Sequence, residues 1–151
     1  MKMRHGQFII QHWRDHQLVD MEVLDNTTTK TGFAELAGLA GEVTSGGFKW
    51  LALDESSTTA TADDTGLAVE CTTSGLTRVA ATVTRVTTDN TNDTLQLEHT
   101  WTATGTKAIK GVGVFDTSTA NAGVMLARTT FATKNLEAND QLKVTYKIKV
   151  A

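Results

Sequence analysis

The chain has 151 residues, 40% of them hydrophobic and 21% charged, with a formal net charge of −3 and a pI near 5.7. That length suits a single domain with a real core, and the composition argues against wholesale disorder. The slightly acidic balance offers no clustered cations for phosphate contacts, so nothing points to nucleic acid as a partner.

Twenty-eight residues are threonine and none is proline. Threonine is β-branched and suits a pleated, half-exposed surface, so the bias predicts sheet. Without proline, turns fall to Gly, Asn, Asp and Ser. The single cysteine, Cys71, rules out an internal disulfide and reads as a small buried hydrophobe. The basic start, Met1 to His5, is followed by only a short apolar run, Phe8-Ile9-Ile10. This is too short for a signal peptide, and no stretch nears the ~18 apolar residues of a membrane helix.

In chain order, Gln7 to Arg14 and Leu18 to Leu24 read as a hairpin turned at Asp15-His16-Gln17. Thr31 is placed to cap a short helix with Phe33, Leu36, Ala37 and Ala40 on its apolar face. Phe48 to Leu53 is a short buried strand, and Asp63 or Asp64 caps a single helical turn through Leu67 to Glu70. Leu76 to Thr88 pairs with Thr94 to Ala103 across the loop Asp89 to Asp93. The second of these strands carries Leu95, Leu97, His99, Trp101 and Ala103 on one face. Ala108 to Phe115 and Val124 to Thr133 form two more strands. Gly111 and Gly113 in the first predict close approach of a backbone or a bulky neighbour. The closing stretch alternates Leu142, Val144, Tyr146, Ile148 and Val150 with Gln141, Lys143, Thr145, Lys147 and Lys149. Its lysine row reads as a wet face that discourages stray edge pairing. The fold class predicted is all-β: an antiparallel β-sandwich or jelly-roll-like domain of about eight strands with one or two short helices.

A search for chemistry finds folding residues instead. His12 and His16 lie four apart, but on a strand that spacing cannot share a metal, so they read as a solvated or interface pair. His99 reads as a core histidine beside Trp101. The Asp89 to Asp93 loop lacks the glycine and distal glutamate of a hand-type calcium loop. None of Ser45, Ser56, Ser57, Ser74 and Ser118 sits in a Gly-x-Ser-x-Gly elbow, and Gly111-x-Gly113 has no third glycine. Asp54, Glu55, Asp63, Asp64 and Glu70 read as strand ends and caps. Trp13, Trp50 and Trp101 suggest a sugar platform, with core burial as the simpler reading. No catalytic residue, metal ligand or cofactor is expected.

Several short segments occur in a telling order. They are Asn26 to Gly32, Phe48-Lys49-Trp50-Leu51-Ala52-Leu53, and Asp64-Thr65-Gly66-Leu67-Ala68-Val69-Glu70. Ala108 to Phe115 and Met125-Leu126-Ala127-Arg128-Thr129-Thr130-Phe131 follow, and then the closing strand. This resembles a group of small virion structural proteins of tailed bacteriophages, whose members carry N-x-x-T-x-x-G, (Y/W)-x-A-L-G, D-T-x-L-x-x-E, E-x-G-L-F and L-A-R-T-x-F in that order. Related patterns occur in the N-terminal regions of phage tail fibres. The chain departs from them in having Asp54 where glycine is usual and Lys110 where an acidic residue is common.

The resemblance implies a non-enzymatic virion component made in the host cytoplasm, first of all a capsid decoration (cement) protein. Such a protein binds the major capsid protein lattice, itself as a homo-oligomer such as a trimer, or both. It needs no nucleic acid, membrane or small-molecule substrate. The rivals are a tail, baseplate or fibre-adaptor protein and, from another class, a carbohydrate-binding module. Residues 1–30 are expected as an N-terminal hairpin or arm and 31–151 as the sandwich. Phe8, Ile10, Trp13, Leu18 and Met21 are the candidate partner contacts, unless the segment simply supplies the first two strands.

Overall fold

The computed structural model describes residues 6–150. The start Met1 to His5, with its His5, lies outside the described residues. Gln7–Arg14 (β1) and Gln17–Asp25 (β2) form the expected hairpin, turned by Asp15 and His16 at φ 48° and 63°. A two-residue turn with both φ values positive matches the twist of the strands it joins. Thr27–Thr28 (β3) and the helix Lys30–Ala40 (α1) follow. Next come Trp50–Asp54 (β4), Val79–Ala80 (β5), Thr82–Val86 (β6) and Thr94–Thr102 (β7). Lys107–Phe115 (β8), Met125–Leu136 (β9) and Gln141–Lys149 (β10) complete the chain.

The strands make two five-stranded antiparallel sheets, in the orders β2-β1-β10-β7-β6 and β3-β9-β8-β4-β5. Phe8, Ile10, Leu97, Trp101, Leu142, Val144, Tyr146 and Ile148 of the first sheet share one core with Leu51, Leu53, Ile109, Val112, Val114, Leu126 and Leu136 of the second. This is an all-β sandwich, as the alternation predicted. The first hairpin belongs to it fully, because β1 pairs with β10 from Gln7↔Lys147 to Trp13↔Gln141.

Four local expectations change. The helix is capped by Thr29, two residues earlier than predicted: its hydroxyl accepts from Gly32 N–H at 2.9 Å and donates to the Met125 carbonyl. The packed face is also not the one predicted: Gly32, Leu36 and Leu39 lie against the sandwich, and Phe33 is exposed. A methyl at Gly32 would stand 2.6 Å from the Leu126 Cα, so glycine is what lets helix and strand touch. Asp64 starts no helical turn. Its carboxylate closes a loop by accepting from Thr61 N–H (2.9 Å) and hydroxyl (2.8 Å).

The segment read as one strand from Leu76 splits. β5 joins β4 in one sheet, β6 joins β7 in the other, and Ala81 between them donates to Lys49 O. Finally, β10 is the middle strand of its sheet, so its lysines guard no edge; Lys143 instead pairs with Glu98 of β7 at 3.2 Å.

The glycines of β8 act as expected. A Cβ at Gly113 would lie 2.9 Å from the Phe115 ring and 3.0 Å from Leu67, and one at Gly111 would lie 3.0 Å from Thr129 O. Leu67 arrives from the long 55–78 connection, which crosses the outer face of the second sheet. There Ala52, Phe115 and Met125 form a small second core with Trp50 and Leu67.

Candidate interaction surface

β2 is the end strand of its sheet, nine residues long, and no described strand covers its free edge. Its register with β1 sorts the side chains. Ile9↔Val23, Gln11↔Met21 and Trp13↔Leu18 share the outer face, while Ile10↔Glu22 and His12↔Asp20 point inward. A bulge between His12 and Trp13 leaves Val19 without a partner. Leu18, Val19, Met21 and Val23 are each 44–53% exposed, so the outer rim is an apolar row.

The five residues expected to meet a partner divide accordingly. Phe8 and Ile10 are fully buried core, which corrects their expected role. Trp13 is half-buried on the outer face, and Leu18 and Met21 stand exposed on the rim. Val19 and Val23 join them. Sequence inspection did not single out these two, although Val19, Met21 and Val23 follow plain alternation; the bulge is what adds Leu18 to their row.

The inward side of β2 is ionic. Asp20 and Glu22 both pair with Lys134, which reaches across from β9 and is itself buried. Burial opposes the ammonium charge, but the two carboxylates outweigh it and hold the Lys134 pKa above that of an ordinary lysine. The apolar stem of Lys134 fills the space between sheets, and its head ties the edge strand down.

Beside it, Asp140 gathers a second cluster. His12 Nε2 lies 2.8 Å from Asp140 Oδ2, Arg14 Nε and Nη2 donate to the two carboxylate oxygens at 2.9 and 2.7 Å, and Glu137 N–H donates at 3.0 Å. His12 is therefore buried and partnered, not solvated, whereas His16 is exposed in the turn. The Arg14 hydrogen bonds, with those of Glu137 and His12, hold the Asp140 carboxyl well below the usual carboxylate range despite burial.

A folded-state pKa below the unfolded one gives stability that is complete above about pH 4 and is lost as acid protonates the folded carboxylate. Asp140→Asn is thus expected to lower the neutral-pH unfolding free energy and to flatten the acid side of the stability profile. Chemical denaturation between about pH 2 and 7 measures both. An unchanged acid slope in the variant contradicts this assignment.

The segments that carried the sequence resemblance have structural tasks. Asn26 Nδ2 donates to Tyr146 Oη (3.2 Å), and Thr29 and Gly32 form the helix cap and its contact. Arg128, buried in β9, donates through Nη1 to Asp64 (2.9 Å) and through Nη2 to Thr58 O (2.6 Å). Asp54, also buried, receives Ser56 N–H and Val69 N–H. Glu70 holds Arg78 in a two-point pair with both side chains buried, and the guanidinium lies 3.7 Å from the centre of the Phe115 ring. These ions fasten the 55–78 connection to the second sheet. His99 stacks edge-on to Trp101 at 4.8 Å, and burial lowers its pKa.

Asp93 spends its carboxylate on the N–H groups of Thr88, Asp89 and Asn90, a use that belongs to a hairpin loop. Among the described residues no three His, Cys, Asp or Glu side chains are grouped to hold a metal ion, and no helix is long and apolar enough to cross a membrane. Compared with known proteins, the chain matches no protein-family model, no curated protein and no solved structure.

Proposed function

We propose that the chain is a non-enzymatic structural component of a tailed-bacteriophage virion, a capsid decoration protein that binds the major capsid protein lattice and stabilises the head. The observation that carries the reading is the β2 rim: a nine-residue edge strand whose outward row is Leu18, Val19, Met21 and Val23. A long edge with an apolar face is a liability in a lone monomer and a ready contact in an assembly. The ordered segments shared with small virion proteins supply the particle as context, and their residues build scaffold, as a structural role requires.

Mechanically, a partner strand or loop laid along β2 adds buried area across capsomer contacts. Expansion or internal pressure then has to break that area as well. Self-association into a homo-oligomer uses surface of the same kind. A tail, baseplate or fibre-adaptor role draws on the same edge and differs in location only.

The test is binding of the purified protein to heads that lack it. Met21→Lys with Val23→Lys is expected to weaken binding by roughly 30-fold or more, as loss of a central apolar anchor does. Both sites are exposed, so the fold should survive, with an unchanged circular-dichroism melt as the check. Wild-type affinity in the double variant removes β2 from the interface, and failure of the wild type to bind heads removes the decoration role.

A further inference from the structure

At the end of the sandwich where β1 turns into β2 and β9 into β10, Trp13, Asp15, His16, Asn139 and Gln141 line a hollow of about 290 Å³. It adjoins the Asp140 cluster but shares none of its side chains. There the polar groups converge: Arg14, His12 and the Glu137 N–H all bond to Asp140. In the hollow, by contrast, none of the five lining side chains hydrogen-bonds another described residue, although four of them are exposed and polar.

The backbone repeats the contrast. Asp15, His16 and Asn139 all have positive φ, at 48°, 63° and 74°. A two-residue hairpin of this kind favours glycine at its second central position, and His16 occupies that position instead. Histidine tolerates this backbone better than most side chains do. Here it sets an imidazole at the rim of the hollow with a carboxylate, two amides and one half-buried indole.

The geometry points to a binding site for a neutral, hydroxyl-rich ring, the pyranose of a glycan. The indole supplies an apolar platform for the C–H face of a sugar. Asp15 accepts from hydroxyls, and the Asn139 and Gln141 amides both donate and accept, which matches a ligand whose groups do the same. Anionic ligands are disfavoured, because Arg14, the guanidinium beside the hollow among the described residues, is committed to Asp140, and the hollow's own lining carries the Asp15 carboxylate. The volume lies at the small end for ligand sites, which suits one ring better than a long chain. This inference rests on the hollow alone and stands whether or not the protein decorates a capsid.

The probes are glucose, galactose, mannose and N-acetylglucosamine, each titrated to about 20 mM against the full chain while the Trp13 indole signal is followed by NMR. A ligand of this size binds with a Kd on the order of 1 mM. At least one sugar is expected to shift that signal saturably. Trp13→Ala should raise its Kd roughly tenfold or more.

Because Trp13 also packs against its neighbours, His16→Gly provides a separate test. It relaxes the turn, so the melting temperature should hold or rise, while the sugar Kd rises several-fold. No saturable shift with any of the four sugars overturns the proposal, as does binding that both variants leave unchanged.

Discussion

Replacing Glu70 with alanine is expected to destabilise the fold by about 3–5 kcal/mol, because it leaves a buried guanidinium without its counter-charge. Arg78 donates Nε to Glu70 Oε1 at 2.9 Å and Nη2 to Oε2 at 2.7 Å. Its Nη1 goes to the carbonyls of Thr117 and Ala122 at 3.0 and 2.9 Å. Glu70 also receives the Asn121 N–H at 2.9 Å, so one carboxylate joins the 55–78 connection to the β8–β9 loop.

For a chain of this length, a loss of that size lowers the melting temperature by roughly 10 °C or more. Removing both charges is expected to be milder than removing one. Glu70→Leu with Arg78→Met should recover at least half of the loss, since two apolar groups leave no orphaned ion. Urea unfolding of the single and double variants measures both. A double variant as unstable as Glu70→Ala means that the carbonyl and amide bonds of the cluster, not the charge pair, hold the connection in place.

The second large effect is expected at the edge strand. Asp20→Ala with Glu22→Ala strands Lys134, whose side chain is only 1% exposed, and should destabilise by about 3 kcal/mol at neutral pH. Its pH dependence distinguishes this from simple loss of packing. In the wild type the raised Lys134 pKa contributes stability that is complete below about pH 10 and is lost only as pH rises through the folded value.

In the variant, burial acts unopposed and pushes the same pKa below the unfolded one. The unfolded state then binds more protons at Lys134, and stability should climb relative to the wild type as pH is raised from 7 to about 9. A variant profile parallel to that of the wild type contradicts the ionic role of β2's inward face.

Much of this architecture was legible because alternation is a local property. Gln7 to Arg14, Thr94 to Thr102 and Gln141 to Lys149 show which residues share a face without reference to any neighbour. Alternation does not say which strand lies alongside. The lysine row of β10 therefore looked like an edge and lies in the middle of a sheet, and the run through Val79, Ala81 and Val83 hid a change of sheet at Ala81.

The candidate surface was half legible for the same reason. Leu18 and Met21 lie three residues apart, and only the bulge between His12 and Trp13 puts both on the outer face. Alternation sets Phe8 and Ile10 on one face of β1, and the packing of the two sheets makes that face core. His12 could not be read at all. Its partner Asp140 lies 128 residues away, and no local pattern announces such a pair.

The most direct test of the structural role is electron cryo-microscopy of purified virions that encode this chain. The account predicts density for the sandwich repeated over the capsid surface at lattice positions, with the Leu18–Val23 rim turned against a neighbouring subunit. Density confined to the tail contradicts decoration, and its absence from the particle contradicts a virion role altogether.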